Sequence, residues 1–315
     1  SLRTVYGRID QDIDRAIELL EKARETTLAE NNKSHINLYV ALGIKSRACL
    51  AEGDWDGAFK AAKRVIDEGG YAVGTKSDLT GGMNSLDKQN VMWGAGIQVA
   101  DQAGGYAGFF THMDNKEGAY AKSAPKLISK QLYNRISATD IRRDWWDPSD
   151  KESPYVSKKF SFANVASFLG DYIYMRVEEM YFTAAEAALR LDDLKSAREL
   201  MNTVMAERDP GYSANNRSGT LLGATTTTWT GSFLENILTH RRIELWGEYG
   251  RLFDVRRLGQ GIDRRTDDGF SEECISMMNR RNVNITKADT YDWVLTIPKA
   301  ELDANPNINE EDQNP

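Results

Sequence analysis

The sequence predicts a mainly α-helical fold built from repeated helical hairpins, with long irregular loops and short strands. Two observations carry this. Apolar residues recur at spacings of three and four in the first part of the chain, and a helix-turn-helix segment near the start aligns without gaps on one near the middle.

The first helix is expected from Tyr6 to Glu30, where Ile9, Ile13, Ala16, Ile17, Leu20 and Ala23 fall on one face. Further helices follow over residues 36–53 and 55–69, after breaks at Asn31-Asn32 and Gly53-Asp54.

The internal match pairs "ACLAEGDWDGAFKAAKRVI" (48–66) with "AALRLDDLKSARELMNTVM" (187–205). Ala48 aligns with Ala187, Leu50 with Leu189, Asp54 with Asp193, Ala58 with Ala197 and Val65 with Val204. Each copy ends an Ala-rich helix, passes an acidic turn and opens the next helix with a large apolar residue followed by a small one. Small residues there let antiparallel helices approach closely, which is the physical content of the tetratricopeptide unit. The division expected is a single unit over 1–315, with tetratricopeptide-like repeats at 1–69 and 171–209. Loop-rich excursions occupy 70–170 and 210–231, and C-terminal helices with a closing tail occupy 232–315.

The glycines cluster in residues 70–125, which read as loops around one strand at Asn90 to Val99. A second strand-like run, Trp293 to Ile297, opens the tail before Pro298. Long loops on a helical scaffold are where function is expected.

Composition excludes several functions. The chain has 315 residues, 40 Lys+Arg against 47 Asp+Glu and a net charge of −7, so phosphate backbones are repelled rather than attracted, and no nucleic-acid partner is expected. Cys49 and Cys274 form no CxxC pattern, and His35, His112 and His240 are scattered, so no metal site and no cofactor are expected. No apolar run reaches the ~20 residues of a membrane span.

"GGYAVGTKS" (69–77) misses the phosphate-loop pattern, because Thr75 stands before Lys76 and the segment follows a helix; its glycines read as a helix end. Glu178 with Glu179, or Glu244 with Glu248, could in principle serve as acid and base on a glycoside. Salt-bridged helix faces explain such pairs better, and no catalytic residue is assigned.

Three segments together carry a family resemblance. "DYIYMRVEEMYFTAAEAAL" (171–189) is similar to an aspartate, arginine, E-x-x-L-x-x-A-E-A helix through Asp171, Arg176, Glu179, Ala185, Glu186 and Ala187. "HRRIELWGEYGRLFDVRRLG" (240–259) matches RR-x-E-L-x-x-E-G-x-R-x-x-D-x-x-R through Arg241, Arg242, Glu244, Leu245, Glu248, Gly250, Arg251, Asp254 and Arg257, with Tyr249 inserted between glutamate and glycine. "VLTIPKAELDANPNINEEDQNP" (294–315) resembles the closing P-I-P to Q-N-P segment through Ile297, Pro298, Glu301, Asn305, Pro306, Gln313, Asn314 and Pro315. In this order, these motifs resemble the C-terminal two-thirds of the SusD/RagB family, surface glycan-binding lipoproteins of Bacteroidetes nutrient-uptake systems.

The resemblance implies non-catalytic binding of an oligosaccharide or polysaccharide at the surface of the outer membrane, and delivery to a TonB-dependent SusC-like transporter. The membrane would be met only through a lipid anchor belonging to the family's N-terminal region, which this chain lacks. A protein-binding adaptor with a concave helical face is the alternative, and an exposed apolar stripe along 36–53 or 173–190 would favour it. A carboxylate-based glycosidase ranks third.

A glycan site needs aromatic platforms beside hydrogen-bonding groups. The preferred cluster is Tyr106, Phe109 and Phe110 with His112, Asp114 and Asn115, in a glycine-rich loop. Trp145 and Trp146 are the second candidate, as adjacent loop residues that cannot easily both be buried, and Trp229 is the third. Trp93 reads as core.

Read as one helix, residues 240–259 place Ile243, Trp246, Tyr249 and Phe253 on one stripe, with Arg241 beside Glu244 and Arg251 beside Asp254. Arg241, Arg242, Glu244, Arg251 and Asp254 are therefore expected to be structural, because a guanidinium fork can pair while its stem packs.

Overall fold

The computed structural model describes residues 2–24, 32–101, 108–219, 230–261 and 294–313. Within them helices dominate, and the strands are few and short.

Helices α1 (Leu2–Arg24), α2 (Leu38–Glu52) and α3 (Trp55–Glu68) lead the chain. A strand, β1 (Val91–Ala95), pairs antiparallel with β4 (Tyr172–Arg176), which runs directly into α8 (Val177–Arg190) and its partner α9 (Leu194–Ala206). Then come α10 (Phe233–Glu244) and α11 (Arg251–Arg257).

The internal repeat is visible in the turns. Asp54 accepts the amide of Gly57, and Asp193 accepts the amide of Ser196, so each aspartate caps the second helix of its hairpin. The residue before each cap takes a left-handed conformation, with φ +88° at Gly53 and +63° at Asp192. Ala58 and Ala197, the small residues one turn inside, are fully buried. Helix α3 packs on α8, and α2, α3, α8, α9 and α10 close the main core around Leu42, Val65, Met180, Phe182, Met201, Val204 and Ile237.

A second core forms where loops were expected. Short helices α4 (Lys76–Thr80), α5 (Phe109–Met113), α6 (Ala119–Ser123) and α7 (Lys130–Tyr133) interrupt the excursion, and β2 (Trp146–Asp147) pairs with β3 (Val156–Ser157). Leu79, Ile128, Leu132, Trp145 and Trp146 pack on Ile243 at the end of α10. The glycine content of 70–125 hid α4, α5 and α6, each only five residues long.

Three further expectations are corrected. The first helix begins at Leu2 rather than Tyr6, and residues 25–30 of its expected span lie outside the described residues. The run 294–297 forms no strand; instead Gln313 exchanges two hydrogen bonds with the backbone of Ile297, 2.7 and 3.0 Å, and pins the tail to itself. Residues 240–259 are two helices separated by a turn, not one. Gly247 at φ +75° and Gly250 at +115° adopt conformations that side chains resist, and they break the helix between α10 and α11. The proposed apolar stripe is consequently split: Ile243 is buried, whereas Tyr249 is 36% and Phe253 51% exposed.

Candidate functional site

Beneath the turn at 245–250 lies a lattice of buried ion pairs that fixes it. Arg176 donates through Nε and Nη2 to both oxygens of Glu248, each at 2.8 Å, and through Nη1 to Glu244 Oε1 at 3.1 Å. Arg208 donates to both oxygens of Glu244 at 2.9 and 3.0 Å, and to Glu178 Oε1 at 2.9 Å. Arg142 bridges Asp140 and Glu244. Lys159 Nζ donates to the carbonyls of Glu244 and Trp246 at 2.7 and 2.9 Å and to Glu248 at 2.5 Å, and so grips the turn itself.

Four cations thus face four carboxylates, and the lattice balances without bulk solvent. Burial alone would raise the Glu244 carboxyl, but Arg208, Arg176 and Arg142 hold it well below the usual carboxylate range. Burial lowers the Lys159 ammonium to about 8, against the opposing pull of Glu248.

A second set of pairs ties the same motifs together. Arg257 forks onto Glu186 with two bonds of 2.7 Å, and Arg241 reaches Asp254 at 3.1 Å and Glu179 at 3.5 Å. The two charged segments, 171–189 and 240–259, are therefore halves of one lattice. The expected Arg241–Glu244 and Arg251–Asp254 pairings give way to these longer-range ones; Asp254 takes Arg241 and Arg257.

What the lattice supports is a cleft of ≈ 560 Å3 between the β1–β4 sheet, α5 and the turn. Its aromatic walls are Trp93, Phe109, Phe160, Tyr172, Tyr174 and Tyr249, with Arg47 and Glu248 as its charged groups. Trp93 and Tyr174, on adjacent strands, meet edge to face at 5.1 Å. Phe109 meets Phe160 at 5.3 Å and Tyr172 at 5.9 Å. Gly94 must be glycine, because a Cβ would lie 2.2 Å from the Tyr172 carbonyl and push the strands apart. Asp171, the first residue of its motif, accepts the amides of Leu86 and Ile97 at 2.9 and 3.1 Å, and so holds the segments flanking β1.

Phe109 is the one described member of the expected cluster that lines this cleft. Phe110 is buried beside it at 2% exposure. Asp114 spends its carboxylate on the amides of Lys116, Glu117 and Phe162. Asn115 stitches the backbone of Lys126 to Ser157, with bonds of 2.8 and 2.7 Å. His112 is exposed and stacks on Tyr120 at 4.5 Å, away from the cleft lining. Trp145 and Trp146 are both buried, at 2% and 1% exposure, against the expectation for adjacent loop residues; Trp145 Nε1 donates to the Leu79 carbonyl at 2.9 Å. Neither can serve as a platform. Tyr106 and Trp229 lie outside the described residues.

Trp93, read as core, packs against the core and also lines the cleft. Arg47, Phe160, Tyr172, Tyr174 and Tyr249 were missed. The signal for two of them was present in "YIYMR", where Tyr172 and Tyr174 alternate on one face of a strand. Among the described residues no group of three or more His, Cys, Asp or Glu is placed to hold a metal ion, and no helix is long and apolar enough to cross a membrane.

The model of the SusD family matches residues 111–315. The chain belongs to the SusD family. Solved structures agree on the fold of this SusD-family chain. A SusD-like carbohydrate binding protein from Bacteroides vulgatus is 24% identical, with a TM-score of 0.74 over 98% of this chain and 66% of its own. A SusD superfamily protein from Bacteroides thetaiotaomicron is 22% identical, with a TM-score of 0.71 over 97% of this chain and 66% of its own. A surface glycan-binding protein A from Bacteroides uniformis is 18% identical, with a TM-score of 0.59 over 97% and 68%. This SusD-family chain thus spans 66% of the length of the first two. No curated protein matches it.

Proposed function

We propose that this SusD-family chain binds an oligosaccharide in the cleft between the β1–β4 sheet and the 245–250 turn, without catalysis. It would do so as part of a cell-surface protein that passes the sugar to a TonB-dependent SusC-like transporter of the outer membrane. The observation that carries this reading is the lining: six aromatic rings converge on one concave space with few polar groups. Pyranose rings present apolar C–H faces that pack on such platforms.

The state of the carboxylates supports binding over hydrolysis. A glycosidase needs a carboxyl kept protonated at working pH beside a second carboxylate. Glu248 is the one carboxyl among the described cleft residues, and Arg176 and Lys159 hold it below its ordinary range despite its burial. Glu244 is wholly buried beneath it. The names of similar proteins, a carbohydrate binding protein and a surface glycan-binding protein, point the same way.

Calorimetry of the purified protein against a glycan panel tests the reading. Binding is expected, with affinity reduced by Trp93→Ala or Tyr174→Ala and no new reducing ends on long incubation. Binding of a peptide but no glycan would favour an adaptor, and product release abolished by Glu248→Gln would make it a glycosidase. Co-purification of a TonB-dependent transporter from membranes tests the delivery step; its absence would remove that step alone.

A further inference from the structure

We infer that the ligand of the cleft is an uncharged oligosaccharide, and that uronate-bearing and sulfated glycans are excluded. This rests on the cleft being the glycan site. Two charged groups, Arg47 and Glu248, stand on its wall, and both are already committed.

Arg47 donates through Nε to Glu179 Oε1 at 2.8 Å, and through Nη2 to Glu179 Oε2 at 2.6 Å and to the Tyr174 carbonyl at 2.8 Å. Its guanidinium lies 3.7 Å from the centroid of the Tyr249 ring, so one face of the cation is covered as well. Glu179, the acceptor, is 2% exposed. A ligand anion that recruited Arg47 would leave Glu179 buried with Arg241 3.5 Å away as its remaining cation.

Glu248 is the mirror case. Arg176 and Lys159 occupy both of its oxygens, and their side chains are fully buried behind it, out of a ligand's reach. Glu248 shows only a 10% exposed side chain to the cleft, and that side chain is ionised. A carboxylate or sulfate brought against the aromatic walls would meet this negative charge, lose its water and find no uncommitted cation among the described residues that line the cleft. A cationic sugar gains little, because Glu248 has no oxygen to spare. Hydroxyls can bond to the Tyr172 and Tyr174 phenols without displacing any pair.

The test separates charge from bulk. From a panel of neutral and anionic oligosaccharides, the tightest neutral binder is converted to a carboxymethyl derivative and, for equal bulk, to a hydroxyethyl derivative. The carboxymethyl form is expected to bind the purified protein at least about tenfold more weakly than the hydroxyethyl form, as an unpaired charge in a dry site requires. Equal or tighter binding of anionic glycans, weakened by added salt, would overturn the inference and leave the glycan reading intact. Failure of every glycan to bind, or affinities unchanged by both Trp93→Ala and the solvent-exposed Tyr174→Ala, would overturn the reading of the cleft and this inference with it.

Discussion

The Arg47 guanidinium lies flat against the Tyr249 ring, 3.7 Å from its centroid, while its edge grips Glu179. One side chain therefore joins α2 to the first turn of α8 and braces the turn that forms the cleft wall. Arg47→Met keeps the stem and deletes the fork, leaving Glu179 nearly without a partner. A loss of about 2–4 kcal/mol in urea unfolding is expected. Arg47→Lys, which keeps the charge without the bidentate geometry, should lose less than half of that. Equal losses would mean that the bidentate geometry, not the charge alone, is what Glu179 needs.

The two hairpin caps make a paired prediction. Asp54 and Asp193 hold equivalent amides, those of Gly57 and Ser196, in turns of the same shape. Asp54→Ala and Asp193→Ala are each expected to cost about 1 kcal/mol, and the double variant about 2, since the sites share no partner. Denaturant midpoints of the three variants check this, and strong non-additivity would show that the hairpins fold as one coupled turn system.

These caps also show why the hairpins were legible in the sequence and the cleft was not. Asp54 and Ala58, like Asp193 and Ala197, act about one helical turn apart, so their spacing alone reveals their roles. Tyr249 and Arg47 meet across two hundred residues, and nothing local to either predicts the contact. The single-helix reading of 240–259 failed for a different reason. Its apolar residues keep helical spacing through the break, while Gly247 and Gly250 turn the chain out of register. Trp145 and Trp146 were misplaced because burying adjacent residues requires a second core, and that core is assembled from segments as distant as Leu79 and Ile243.

Gly247 gives a way to alter the cleft from its rim. A Cβ there would lie 2.6 Å from the Phe160 ring and 2.9 Å from the Met113 terminal methyl, and φ +75° disfavours any side chain. Gly247→Ala should cost about 1–2 kcal/mol in stability and displace Phe160 from the wall. Glycan affinity in the folded protein is then expected to fall by several-fold, measured by calorimetry beside the melting curve. Unchanged affinity at lowered stability would place the ligand away from Phe160.

His240 is expected to make the fold sensitive to mild acid. Burial first, then the neighbouring Arg142 and Arg217, hold this imidazole neutral with its pKa well below the ordinary 6.5. Arg142 Nη2 lies 2.8 Å from Nδ1, a contact that a neutral acceptor nitrogen satisfies and an imidazolium would not. The unfolded chain takes up a proton near pH 6.5 and the folded chain does not, so the unfolded state binds more protons below that value. Stability should therefore fall as pH drops below 6.5, by up to about 1.4 kcal/mol per unit, before the buried carboxylates begin to titrate. Those carboxylates, Glu244 and Asp254 among them, have lowered values, so their contribution is lost only at more acid pH. His240→Asn retains an acceptor at the position of Nδ1 but cannot titrate. Its melting temperature should be flat between pH 6.5 and 5, where that of the parent protein declines. A parent curve that is also flat there would show that His240 takes up its proton in the folded state, and that Arg142 moves to allow it.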